Sequence, residues 1–97
     1  MKAYKHLVKF ALSNGMTVSV WDGEAFGVKR SSSFKEINDC VESVEVAELT
    51  IRDTNGEKQG WAMVAAFGFE EDETVMDHTM TAFLHEWDFA YRASQYA

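Results

Sequence analysis

The sequence predicts an α+β domain: an antiparallel sheet with helices packed on it, in the element order β-β-β-α-β-β-α. Three observations lead there. Short runs of alternating apolar residues are separated by the turn signals "SNG", "DG" and "TNG". Two other stretches repeat their apolar residues every three or four positions, the spacing of a helix face. The chain has 97 residues, 46% of them apolar, enough for one core, so residues 1–97 are read as a single domain.

The first predicted strand is "YKHLVKFAL", with Tyr4, His6, Val8, Phe10 and Leu12 on one face and Lys5, Leu7, Lys9 and Ala11 on the other. "MTVSVW" follows, with Met16, Val18 and Val20 inward. A three-residue loop keeps apolar residues opposite one another, gives Gly15 a left-handed position, and sets Leu7 across from Trp21 on the lysine-bearing face. In this register His6 faces Asp22, which explains both as an ion pair. After Asp22-Gly23, "EAFGVKR" can return as a third strand with Phe26 and Val28 inward.

"SSSFKEINDCVESV" reads as a helix. Ser33 stands before it with Glu36 three residues on, the pattern of a capping box, and Phe34, Ile37, Val41 and Val44 form the stripe. "VAELTIRD" and "KQGWAMVAAF" form a hairpin with a two-residue Asn55-Gly56 loop, with Ala47, Leu49 and Ile51 beside Val64, Ala62 and Gly60, and with Asp53 facing Lys58. Trp61, Met63 and Phe67 line its other face, so either face can be the core. "GFEEDETVMDHTM" is expected to be a loop or a short irregular helical segment. The last helix runs from about Thr81.

On that helix Met80, Phe83, Leu84, Trp87, Tyr91 and Ser94 gather on one side. His85, Phe89, Arg92 and Tyr96 occupy the opposite side, which is ordinarily charged. Either the first helix or the "FEEDETVM" segment covers this second face, or the end of the chain frays, or the face meets a partner or a second copy, exposed aromatics beside an arginine being common interface anchors.

The net charge is -7, unevenly spread: residues 1–35 carry +4 and residues 36–97 carry -11. Nucleic-acid binders ordinarily show a net basic surface, so no direct nucleic-acid contact is expected and a protein partner is. Glu70, Glu71, Asp72 and Glu73 read as a solvated loop or as a mimic of phosphate spacing, reinforced by Glu36, Asp39, Glu42, Glu45 and Glu48. No metal, cofactor or catalytic pattern emerges. His78 and His85 are seven residues apart, there is no HExxH or paired-cysteine spacing, no phosphate-cradling glycine loop, and Cys40 has no evident histidine partner. A single cysteine, the lack of a leader-like start and the shortness of apolar runs such as "WAMVAAF" point to a cytoplasmic protein with no membrane segment.

"LSNGMTVSVWDGE", "IRDTNGEKQGWA" and "AFGFEEDETVMDHTMTAF" resemble, in their turn-and-strand style, the small acidic accessory proteins of tailed bacteriophages. The resemblance implies a non-enzymatic protein in the host cytoplasm that binds and inhibits a host protein, a defence or nucleic-acid enzyme, with a homodimer as a further expectation. It brings no site residues with it. The surfaces expected to bind are His85, Phe89, Arg92 and Tyr96; Glu70, Glu71, Asp72 and Glu73; and the Leu7/Trp21 pair. The alternative is a small-molecule or nucleotide-signal module in which Lys5, Lys9, Lys29 and Arg30 meet phosphates.

Overall fold

The structure, a computed structural model, describes residues 1–68 and 70–96. Its elements are α1 (Ala3–Ser13), β1 (Thr17–Trp21), β2 (Phe26–Ser31), α2 (Phe34–Glu42), β3 (Ala47–Arg52), β4 (Lys58–Val64), a 3-10 turn (Glu71–Thr74), β5 (Val75–His78) and α3 (Ala82–Gln95). The strands form one antiparallel sheet in the order β2-β1-β3-β4-β5. The fold is thus α+β, with an antiparallel sheet and helices packed against it.

The first element is a helix and not the expected strand. Its buried residues, Ala3, Tyr4, Leu7, Val8 and Ala11, are spaced 1, 3, 1 and 3, a helical stripe hidden within a segment that also alternates. Two periods fit the same letters. Val8 is the only β-branched residue in "AYKHLVKFALS", and alanine, leucine and lysine favour helix. No side chain caps the N-terminus and the first turn holds no acid, so the usual start signals are missing. "SNG" is its C-terminal stop: Gly15, at φ 76°, lets the Met16 N–H reach the Ala11 carbonyl at 3.0 Å and the Gly15 N–H reach that of Leu12 at 3.1 Å. With α1 a helix, Leu7 is fully buried and faces no Trp21.

The β3–β4 hairpin keeps the expected register, Ala47 with Val64, Leu49 with Ala62 and Ile51 with Gly60. Its end differs. Asp53 pairs with Glu57 rather than Lys58, closing a three-residue loop with Gly56 at φ 81°. The Asp53 carboxylate accepts the N–H groups of Asn55 and Glu57 and the Gln59 amide, and so stabilises the wider loop.

Ser33 caps α2, its hydroxyl accepting the Glu36 N–H at 3.3 Å. The reciprocal half of the box is replaced: the Ser33 N–H goes to the Ser31 hydroxyl at 3.0 Å. On β2, Val28 points inward but Phe26 points outward and is half exposed. The expected loop before α3 contains the 3-10 turn and adds a fifth strand, β5; its Phe69 lies outside the described residues.

The core lies on one face of the sheet. Val18, Val20, Leu49, Ile51, Ala62 and Val64 meet Leu7 and Val8 of α1, Ile37 and Val41 of α2, and Leu84 and Trp87 of α3. The other face, with Trp21, Glu48, Thr50, Trp61 and Met63, is covered by no helix among the described residues and is half-buried. Among the described residues no helix is long and apolar enough to cross a membrane.

Candidate functional site

The start of α3 is fastened to β4. The Thr81 hydroxyl donates to the Gln59 carbonyl at 2.7 Å, and the Trp61 N–H donates to the Thr79 hydroxyl at 3.1 Å. Gly60 between them has no side chain, and Leu84 fills that space: a Cβ at Gly60 would collide with Leu84 Cδ2. These ties settle which side of α3 is buried. Phe83, Leu84, Trp87 and Tyr91 go inward. His85, Phe89, Arg92 and Tyr96 remain exposed, Phe89 at 77% and Tyr96 at 88% of their surface. No segment covers them among the described residues, because all three helices are already spent on the single covered face of the sheet.

The 3-10 turn is held against the start of α1. The Tyr4 N–H donates to the buried Thr74 hydroxyl at 3.1 Å, which donates to the Glu71 carbonyl at 2.8 Å. The N-terminal amine lies 3.4 Å from Glu71. The anchored turn stands beside the C-terminal half of α3, and between them runs an open groove of about 600 Å³, lined among others by Glu71, Asp72, His78, Asp88, Arg92 and Tyr96. Two surfaces that are separate in sequence are one in space. Glu73, His85 and Phe89 are exposed but do not line the groove.

The groove is acidic despite Arg92. Its Nε lies 3.2 and 3.0 Å from the two Asp88 oxygens, so the cation is neutralised within its own helix; the Asp88 hydrogen bond and charge push the guanidinium pKa up. Glu70, Glu71 and Asp72 remain in excess. Their field reaches the opposite wall, where Tyr91 is held above its ordinary value by burial first and then by Asp72 and Glu71.

The other expected sites are dispersed. Trp21 lies on the open sheet face, edge-on to Phe26 with ring centroids 5.0 Å apart. Glu48 accepts the Trp61 indole N–H at 2.9 Å on that same face, while Glu36, Asp39 and Glu42 lie on α2. Helix α1 separates α2 from the acidic turn, so the carboxylates form no continuous row. His6 makes no pair with Asp22. Instead the Trp87 indole N–H donates to His6 Nδ1 at 3.2 Å, and since indole can only donate, that nitrogen is unprotonated. Lys5 and Lys9 lie on α1, Lys9 over the Phe34 ring at 4.9 Å, across the sheet from the outward Phe26 and away from Lys29 and Arg30 on β2. Cys40 is half-buried against Gly27, and burial followed by the charge of Asp22 pushes its thiol pKa up, away from an activated nucleophile. Among the described residues no three His, Cys, Asp or Glu side chains converge on a metal-sized site.

Comparison with protein-family models, with curated proteins and with solved structures produced no match.

Proposed function

We propose that the chain is a non-catalytic binding protein that docks the outer face of α3 and the adjoining acidic groove onto a basic surface of a partner protein. One observation carries this reading: of the two most exposed aromatic side chains among the described residues, Tyr96 lines a groove with excess carboxylate and Phe89 stands on α3 next to Asp88 of the groove wall. Exposed rings supply desolvation energy and the carboxylates supply orientation and rate of encounter. A second copy is a less complementary occupant than a basic partner, because a two-fold contact through this face would bring two net-acidic patches together. The resemblance to phage accessory proteins makes the partner in this reading a host enzyme or defence protein, held inactive by occupation of its basic site.

A photo-cross-linking side chain placed at Phe89, used in a host lysate, tests the proposal. The expected result is one dominant protein adduct that weakens steeply with salt and disappears when Glu70, Glu71 and Asp72 are changed to Gln, Gln and Asn. An adduct indifferent to both salt and neutralisation, or no adduct, defeats it. With the cross-linker placed instead at Gln95, which lines the groove, the double variant Phe89→Glu with Tyr96→Glu should keep its stability while losing the adduct; a large loss of stability would make the face part of the core.

A further inference from the structure

The open face of the sheet has one basic corner. Ser19, Phe26, Lys29, Arg30, Thr50 and Arg52 line a depression of about 400 Å³ between β2, β1 and β3. No carboxylate among the described residues lines it, in a chain of net charge -7. Among the described residues, the only side-chain cations with a carboxylate within salt-bridge distance are Lys35 and Arg92, so Lys29, Arg30 and Arg52 all reach this corner unneutralised. The two arginines converge on the β3–β4 loop. Arg52 Nη1 donates to the Gly56 carbonyl at 2.9 Å, and Arg30 Nη1 comes so near Gly56 that a methyl there would lie 3.4 Å from it. Bringing like charges together opposes folding, so an anion is the natural complement.

The backbone adds a second, independent sign. Between the pairs Val18–Ser31 and Val20–Val28 the strand β2 carries an extra residue, a bulge. Arg30 within it has φ 46°, the only non-glycine residue with positive φ among the described residues. Its N–H is tied to the nearly buried Ser19 hydroxyl at 2.9 Å. Glycine is the residue suited to that position, and bulges re-aim side chains beside binding sites. The chain keeps a strained arginine there, and its guanidinium is thereby delivered to the depression.

A flat apolar wall completes the corner. Phe26 is 46% exposed and is held edge-on by Trp21. Further along the face Glu48 and Asp77 follow, which would repel a phosphate backbone running past the corner, so the ligand must be compact. The cavity volume suits one small ligand.

We infer that this corner binds a mononucleotide, its phosphate held by Lys29, Arg30 and Arg52 and its base laid on Phe26. The site lies on β-strands across the sheet from α1 and is independent of the α3 surface. Adenosine and guanosine 5′-monophosphate, adenosine, inorganic phosphate and a ten-residue oligothymidylate are titrated into the full chain by calorimetry, with the fluorescence of Trp21 as a second readout. At least one mononucleotide is expected to bind at least about tenfold more tightly than adenosine or phosphate, the factor one charge-assisted contact supplies. Lys29→Gln and Arg52→Gln should each weaken it about tenfold or more. Arg30→Gly should raise the melting temperature by relieving the backbone while abolishing binding, a pair of effects that a structural arginine would not show. Phe89→Glu with Tyr96→Glu should leave nucleotide binding unchanged. Equal affinity for phosphate overturns the base contact, tighter binding of the oligonucleotide overturns the compact ligand, and no binding by either mononucleotide overturns the site.

Discussion

The two faces of the sheet use neighbouring residues for opposite purposes. On β3, Leu49 and Ile51 are fully buried beneath the helices, whereas Glu48, Thr50 and Arg52, interleaved with them, face the open side. The covered face is filled with aliphatic side chains that offer no specific chemistry. The open face holds indoles, hydroxyls and unpaired cations that contribute little to a core. Stability and recognition are therefore separated by a period of two along the same strands, and substitutions one residue apart should differ sharply in effect.

The largest difference is expected at Leu49→Ala, which leaves a cavity in the core beneath the helices and should cost about 2–5 kcal/mol in urea denaturation. Thr50→Ala, its neighbour, should cost under about 1 kcal/mol, as surface changes do. Comparable costs would mean that something covers the open face. Next is Gly60→Ala, which forces Leu84 aside and should cost about 1–3 kcal/mol by overpacking. Combining it with Leu84→Ala should give less than the sum of the two single losses, a coupling that a double-mutant cycle reads directly.

A smaller effect is expected from pH at the seam between α1 and α3. Burial, and secondarily the N-terminal charge, hold the His6 imidazole below its ordinary 6.5. On acidification the unfolded chain takes up the proton first, so the contribution of neutral His6 is complete above pH 6.5. It is lost as the pH falls from there through the lower folded value. Protonation of Nδ1 also removes the acceptor for Trp87. Urea midpoints at about pH 7.5 and about pH 5.5 should differ more for the native chain than for His6→Gln; an equal difference would show that other groups control the acid limb. The smallest effect on stability, within about 0.5 kcal/mol, is expected for Phe89→Glu, since that ring touches mostly water.

The elements differed in how plainly they could be read. Helix α2 and the β3–β4 register were legible because each rests on a local device: a serine cap, a glycine turn, and one period that fits better than any other. Helix α1 was not, because buried positions 3, 4, 7, 8 and 11 and a strand-like alternation coexist in eleven residues and no cap breaks the tie. The short β5 has exposed Met76 and Asp77 at its centre and no apolar alternation to reveal it. At the candidate site, the second face of α3 and the acidic run were both visible as residues, but their meeting was not. It depends on the Tyr4–Thr74 tie, which spans 70 positions. The basic corner was half visible: Lys29 and Arg30 stood out, whereas Arg52 joins them only through strand order, and Phe26 faces outward only because Val28 takes the core position.

By itself the sequence determined an α+β domain with an antiparallel sheet, the register of its central hairpin, the two-sided character of α3 and the separation of charge along the chain. Those properties follow from neighbours within a few residues, where turn chemistry and periodicity act directly. Only the tertiary structure decided that α1 is a helix, that all three helices share one face of the sheet, and that the other face and the outer side of α3 stay uncovered. The reason is that burial is a property of the assembled layers. A side chain becomes core or surface according to which element arrives opposite it, and that is settled by packing over the whole chain.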